Sequence, residues 1–275
     1  KSFIQMKILL NNNDLNEALN NVSKLGFVPT MGSFHKGHIS LIKRSKKECN
    51  KTIVSIFVNP NQFNNRKDFK KYPRNIKKDL SILKKLKVNF VYLPGKKHVY
   101  YSRRKSKIKL DKKDQILCAK FRKGHFEGVI DVMDRLTNLI KPSKIFMGEK
   151  DMQQLYLVKN YIKNRYKSKI IPCKTIRDKE GFALSSRNLL LSNKEIKKAR
   201  NLTNHIFDFK NKLKNQKNIF KLLQQKKRKL DQLFDVKVEY LELRNIKNLK
   251  ISSKTQSSKI FIAYFLNKVR LIDNL

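Results

Sequence analysis

Residues 29–38 read PTMGSFHKGH. The apolar run LGFV at residues 25–28 leads in as a strand, and the amphipathic segment 39–49 leads out as a helix. A strand, a tight glycine-containing turn and a helix thus follow one another, with the helix expected to begin near His38. His35 and His38, three residues apart at a helix start, fall close together on one face. Backbone N–H groups and the positive end of the helix dipole are found at the same place, which makes the junction a natural seat for phosphate. Gly32 and Gly37 let a ligand approach the backbone with no Cβ in the way. A capping histidine at an ordinary strand–helix junction is the plainer reading of His-x-x-His. The flanking Pro-Thr-Met-Gly and Gly-His favour the ligand site.

Outward from this stretch the first part of the chain alternates. TIVSIFV at 52–58 reads as a buried parallel strand closed by Asn59-Pro60. Residues 75–86 have helical spacing, with Ile76, Leu80, Leu83 and Leu86 on one side. A strand is expected at 88–93, an exposed basic strand and loop at 103–113, and a helix at 127–140 ended by Pro142. A short strand at 144–147, a helix at 151–166 and a strand at 169–176 complete the alternation. This pattern predicts an α/β domain: a parallel sheet covered by helices on both faces, with ligands beyond the carboxyl ends of the strands. After about residue 187 lysine-rich helices are expected at 193–215 and 217–234, then strands at 236–243, 259–266 and 269–272. That order argues for a smaller α+β domain, so residues 1–176 and 177–275 are expected as two domains.

The chain of 275 residues carries 65 Lys and Arg against 21 Asp and Glu, a net charge of +44. Such a charge points to nucleic acid or a membrane surface. The lysines, however, are spread along the whole chain and lack the interleaved aromatics that stack bases, so they read as solvated faces. An anionic substrate would still be drawn to the field. No apolar run approaches a membrane span, and the first residues show no signal-peptide pattern. Lys1 is not an initiator methionine, so a few preceding residues are expected. Three widely spaced cysteines, Cys49, Cys118 and Cys173, suggest a reducing compartment, here the cytoplasm. Neither Cys-x-x-Cys nor His-Glu-x-x-His occurs, so no protein metal ligands are expected.

Four further stretches sit at expected strand ends. Asn59 and Gln62 offer carboxamides to a carboxylate or hydroxyl, or else form a polar turn. FRKGHFEG at 121–128 offers Arg122, suited to hold a carboxylate or phosphate, and His125 before a helix; the plain reading is an exposed cationic loop. MGEKDMQQ at 147–154 places Lys150 as a point charge for phosphate and Asp151 as an acceptor for a ribose hydroxyl, with Gln154 three residues along the same face. Asp151 is equally a helix cap. ALSSRN at 183–188 combines two hydroxyls with a guanidinium, a set suited to a polyphosphate or to a serine-rich turn.

Taken in order, PTMG-x-x-H-x-GH, VSIFVNP-x-QF, YPR at 72–74, R-x-GHF-x-GV, GEKD-x-QQL and SSRN strongly resemble the pantothenate synthetase (pantoate–β-alanine ligase) family over roughly residues 26–192. The resemblance implies a Rossmann-like nucleotide-binding domain of the His-x-Gly-His group, a small C-terminal lid domain and a homodimer. It implies condensation of (R)-pantoate with β-alanine through a pantoyl-adenylate, with ATP spent to AMP and diphosphate and with Mg²⁺ present. By the family pattern Met31, Gly32, Ser33, Phe34, His35, Lys36, Gly37 and His38 wrap the ATP, together with Gly148, Glu149, Lys150, Asp151, Ile176, Leu184, Ser185, Ser186 and Arg187. His38 is the implied catalytic acid, and His35, Lys150 and Arg187 stabilise growing charge. Gln62, Gln154, Asn59 and Arg122 are the implied substrate contacts. Lys123 stands where the family usually has Pro, and Phe182 where it usually has Leu. Two rival readings are a nucleotidylyltransferase of the same histidine group and a basic nucleic-acid-binding module. The paired glutamines and SSRN count against the first; a missing Lys-Met-Ser-Lys-Ser-like loop counts against the second.

Overall fold

The computed structural model describes residues 5–101, 108–214 and 216–275. In chain order its first elements are β1 (Lys7–Leu9), α1 (Asn12–Leu19), β2 (Leu25–Thr30), α2 (Lys36–Glu48), β3 (Lys51–Ile56), α3 (Arg66–Lys71), α4 (Ile76–Lys85), β4 (Phe90–Tyr92) and α5 (Lys96–Val99). There follow α6 (Cys118–Phe121), α7 (His125–Ile140), β5 (Lys144–Gly148), α8 (Met152–Lys163) and β6 (Lys169–Cys173). The chain divides into two compact units, one of residues 1–149 with 154–174 and the other of residues 150–153 with 175–275.

Among the described residues the first unit holds a six-stranded sheet in the order β1-β4-β3-β2-β5-β6. Every neighbouring pair is parallel, with Val28 opposite Val54 and Phe27 opposite Ile145. Side chains alternate between the faces of a strand. One face packs Val28, Val54, Val91 and Phe146 against Leu41 and Ile42 of α2 and Leu83 of α4. The alternate residues Phe27, Ile53 and Ile145 are also fully buried, so both faces are covered. That double burial explains why β3 shows no alternation of apolar and solvent-facing residues: Ile53 and Val54, on opposite faces, are both fully buried. The chain runs outward from β2 in both directions, through β3 on one side and β5 on the other. The carboxyl ends of β2 and β5 therefore flank the point where strand order reverses, the usual place for a ligand crevice.

The second unit contains α9 (Asn193–Lys212), α10 (Ile219–Phe234), β7 (Lys237–Asn245), β8 (Ser258–Leu266) and β9 (Val269–Asn274). The strands form an antiparallel sheet in the order β7-β8-β9. Leu202 and Ile206 of α9 and Leu223 and Leu230 of α10 share a core with Leu243, Ile260 and Ile262 of the sheet. Among the described residues no helix is long and apolar enough to cross a membrane.

Several expectations shift. The first site helix begins at Lys36, not near His38, because His35 caps it. β1 and α1 carry no sequence expectation: α1 opens on a polar stretch, and its N-cap Asn11 accepts from the N–H groups of Asn13 and Asp14. In α4 the expected apolar face is rotated: Ile76 is 52% exposed, whereas Asp79 is only 2% exposed. The helix expected from Asp151 opens with a 3₁₀ turn at Glu149–Asp151, and α8 proper starts at Met152. Of the basic stretch 103–113, residues 103–107 lie outside the described residues, and the rest forms no strand.

Candidate active site

The carboxyl ends of three adjacent strands, β3, β2 and β5, carry Asn59–Gln62, Met31–His38 and Gly148–Glu149 respectively. Beyond β2 the chain turns through two left-handed residues, Gly32 (φ +81°) and Ser33 (φ +55°). The N–H of Gly32 donates to Thr30 Oγ1 at 3.2 Å. His35 then accepts the Gly37 N–H at Nδ1 (3.1 Å), and His38 Nδ1 accepts the His35 N–H (3.4 Å), a reciprocal cap made of two imidazoles. The ring centroids of His35 and His38 are 4.2 Å apart, and Phe34 meets the His38 ring edge-on at 5.4 Å. Capping and pairing are thus one arrangement. With Nδ1 an acceptor on both rings, the neutral imidazoles carry their proton on Nε2. The backbone donors of Ser33, Phe34, His35 and Gly37 are already taken by protein side chains, so the anion seat expected at this helix start is largely filled from within.

The second strand end is organised by Asn59, 1% exposed. Its Nδ2 donates to Gly128 O (3.1 Å) and Gln62 Oε1 (3.4 Å). Its Oδ1 accepts the Asn61 N–H (3.2 Å) and the Tyr100 hydroxyl (3.0 Å). The carboxamide is fully used within the protein, so a substrate contact there has to displace the long Gln62 bond. Burial, and then the charge of Asp131, push the Tyr100 hydroxyl up to about 12, so it stays a donor to Asn59 at all ordinary pH. Gln62 in turn donates from Nε2 to Met31 Sδ at 3.0 Å, joining the β3 and β2 ends.

Arg122 is not the exposed cation of the plain reading. Its guanidinium lies 2.9 Å from His125 Nε2, and the His125 Nδ1–H donates to the Gln62 carbonyl at 2.7 Å. A guanidinium is a donor only, so it fixes that tautomer. Gly128 lets α7 lie on the turn at 60–62: a Cβ there would come 2.4 Å from Asn61 O. Gln154 is half-buried in the same unit.

The remaining expected residues belong to the second unit. Lys150 Nζ lies 3.5 Å from Asp151 Oδ1, and Lys150 O accepts from Asn274 Nδ2 at 2.8 Å. Ile176 and Leu184 meet through the Leu184 N–H to Ile176 O bond at 3.0 Å. Ser185 caps a 3₁₀ turn at Ser186–Leu190 by accepting the Arg187 N–H at 3.3 Å, and Ser186 is buried. Arg177 anchors this loop with a paired grip on Asp273 (2.6 and 2.9 Å). The motif reading omits Tyr100 and Asp79, and leaves His125 without a role. Their only signal is spatial: each lies far along the chain from the groups it holds.

The sequence pattern of the pantoate–β-alanine ligase family matches residues 7–275. The chain belongs to that family. The pantothenate synthetase of Ruthia magnifica is 39% identical over 276 residues, covering 98% of each chain. That of Caldicellulosiruptor bescii is 36% identical over 263 residues, covering 91% of this chain and 90% of its own. The pantoate–β-alanine ligase of Francisella tularensis, crystallised with a β,γ-ATP analogue and β-alanine, superposes with a TM-score of 0.85 at 36% identity, covering 98% and 97%. The chain is thus a pantoate–β-alanine ligase, and the nucleotidylyltransferase and nucleic-acid readings give way.

Proposed function

We propose that this ligase activates pantoate with ATP at the strand ends described above. The observation that carries the reading is the His35–His38 pair at the end of β2, joined through Met31 to Gln62 at the end of β3. The pantoate carboxylate attacks the α-phosphorus, the bond to the bridging oxygen breaks, and diphosphate leaves with the electron pair. His38 donates a proton or hydrogen bond to the leaving oxygens, with its proton on Nε2 suited to that role. His35, Lys150 and Arg187 stabilise the growing charge. Met31–His38, Gly148–Asp151, Ile176 and Leu184–Arg187 hold the nucleotide. Gln62 and Gln154 hold pantoate, aided by Asn59 and Arg122, and Arg122 also keeps His125 oriented. The amine of β-alanine then attacks the acyl carbon, and AMP leaves as the ammonium proton is lost. No protein nucleophile takes part.

Mg²⁺ belongs on the nucleotide phosphates in this reading. Mg²⁺ keeps several waters and is commonly carried on substrate phosphates, whose oxygens are its natural ligands. The lid role of the second unit and the homodimer rest on the family likeness; sedimentation velocity at micromolar concentration tests the dimer. Three cysteines, odd in number and far apart along the chain, favour a reducing compartment such as the cytoplasm. The activation step is tested by pantoate-dependent exchange of labelled diphosphate into ATP with β-alanine omitted. Exchange is expected. A folded protein that makes pantothenate without exchange overturns the adenylate route.

A further inference from the structure

We propose that Asp79 is a positioning residue for the ligation, acting through the turn that aims His35 and His38. Asp79 lies in α4 and is buried to 2% exposure. Its Oδ2 accepts the Ser33 N–H at 2.8 Å and its Oδ1 accepts the Phe34 N–H at 2.9 Å. Successive N–H groups in a left-handed turn form a concavity that binds an anion. Here the protein supplies that anion itself.

Three features tie the carboxylate to the histidines. First, the turn needs an external hold, because Ser33 sits at φ +55°, a region that side chains other than glycine rarely occupy. Second, the backbone at Gly32 comes so close that a Cβ there would lie 2.8 Å from Asp79 Oδ2. Third, Phe34, whose N–H is held, packs against the His38 ring, and the next N–H, of His35, is the donor to His38 Nδ1. The carboxylate thus sets the path of the backbone from which both imidazoles are hung. It touches neither imidazole and needs to touch no substrate.

The proposal rests on the reading that His38 serves the reaction, so Asp79→Asn and His38→Ala are measured side by side. Asp79→Asn keeps the size but turns one acceptor into a donor facing a backbone N–H. Expected in the folded variant are a kcat at least about 10-fold lower, a KM for ATP within about 3-fold, and a histidine ¹⁵N spectrum in which the Nε2–H tautomer of His35 and His38 is no longer dominant. Unchanged kcat and unchanged imidazole signals in Asp79→Asn, with His38→Ala inactive, overturn the role of Asp79 alone. Full turnover in His38→Ala overturns the reading beneath it. If Asp79→Asn does not fold, amide exchange in the unaltered protein decides: Ser33 and Phe34 are expected to exchange as slowly as the β2 amides, and free exchange at both refutes the hold.

Discussion

At the scale of single residues the site is a set of side chains that hold one another before they hold a ligand. Asn59 uses all four of its hydrogen-bonding positions within the protein, His125 is fixed by Arg122, and His35 caps its own helix. This is how a polar cluster at a strand end stays ordered: each buried donor and acceptor that lacks a partner costs roughly 1–3 kcal/mol. Gly128 is the most exacting position, because α7 rests against the backbone of the turn that carries Gln62. Gly128→Ala is expected to cost about 1–3 kcal/mol through overpacking and to lower the melting temperature by several degrees. It is also expected to raise KM for pantoate more than KM for ATP, as the turn is pushed from its place. A melting temperature and KM equal to those of the parent show that the wedge is absent.

At the scale of elements, buried tyrosines couple the sheets to pH. The Tyr92 hydroxyl in β4 is pushed up to about 12 by burial, and Tyr100 just beyond α5 reaches about 12 for the reasons given above. Tyr264 in β8 is also raised, by burial and then by the charge of Asp273. An unfolded tyrosine ionises near ~10. Raised folded values mean the unfolded chain loses these protons first, so their contribution to stability is complete below about pH 10 and is lost as pH climbs toward 12. Denaturant midpoints taken from pH 8 to 11.5 are expected to hold until about pH 10 and then fall, with tyrosinate absorbance rising at the same step. Flat midpoints across that range count against buried neutral phenols. The same logic explains why Tyr100 is a dependable donor to Asn59 while the enzyme turns over.

At the scale of the whole molecule the net charge of +44 dominates. The Debye length is about 10 Å at 0.1 M salt, so most of this field acts only at low ionic strength. Raising KCl from about 20 to 300 mM is expected to raise KM for ATP on the order of several-fold while kcat holds, because the field steers an anion without shaping the transition state. The melting temperature is expected to rise over the same range as self-repulsion is screened. Steady-state kinetics and thermal scans check both. A salt-independent KM means that the lysines do not steer the nucleotide.

The sequence alone was enough for the alternating order of strands and helices and for the family, because those depend on local periodicity and on motifs in which neighbouring residues act together. PTMGSFHKGH carries its own strand, turn and helix start, so those local elements survive transfer to three dimensions with the helix boundary moved, whereas the open anion seat read there proves to be occupied by the protein's own side chains. What needed the fold was every contact between distant stretches. Asp79 and Tyr100 carry no reading of their own in the sequence; Asp79 gains its role when α4 packs beside the β2 turn, and Tyr100 when it reaches Asn59. Arg122 reads as a holder of a carboxylate or phosphate, or else as surface charge; that His125 and the Gln62 carbonyl meet it is seen only in the fold. Periodicity reports which face of an element is apolar; it cannot report which backbone amide, 45 residues away, a buried carboxylate has come to hold.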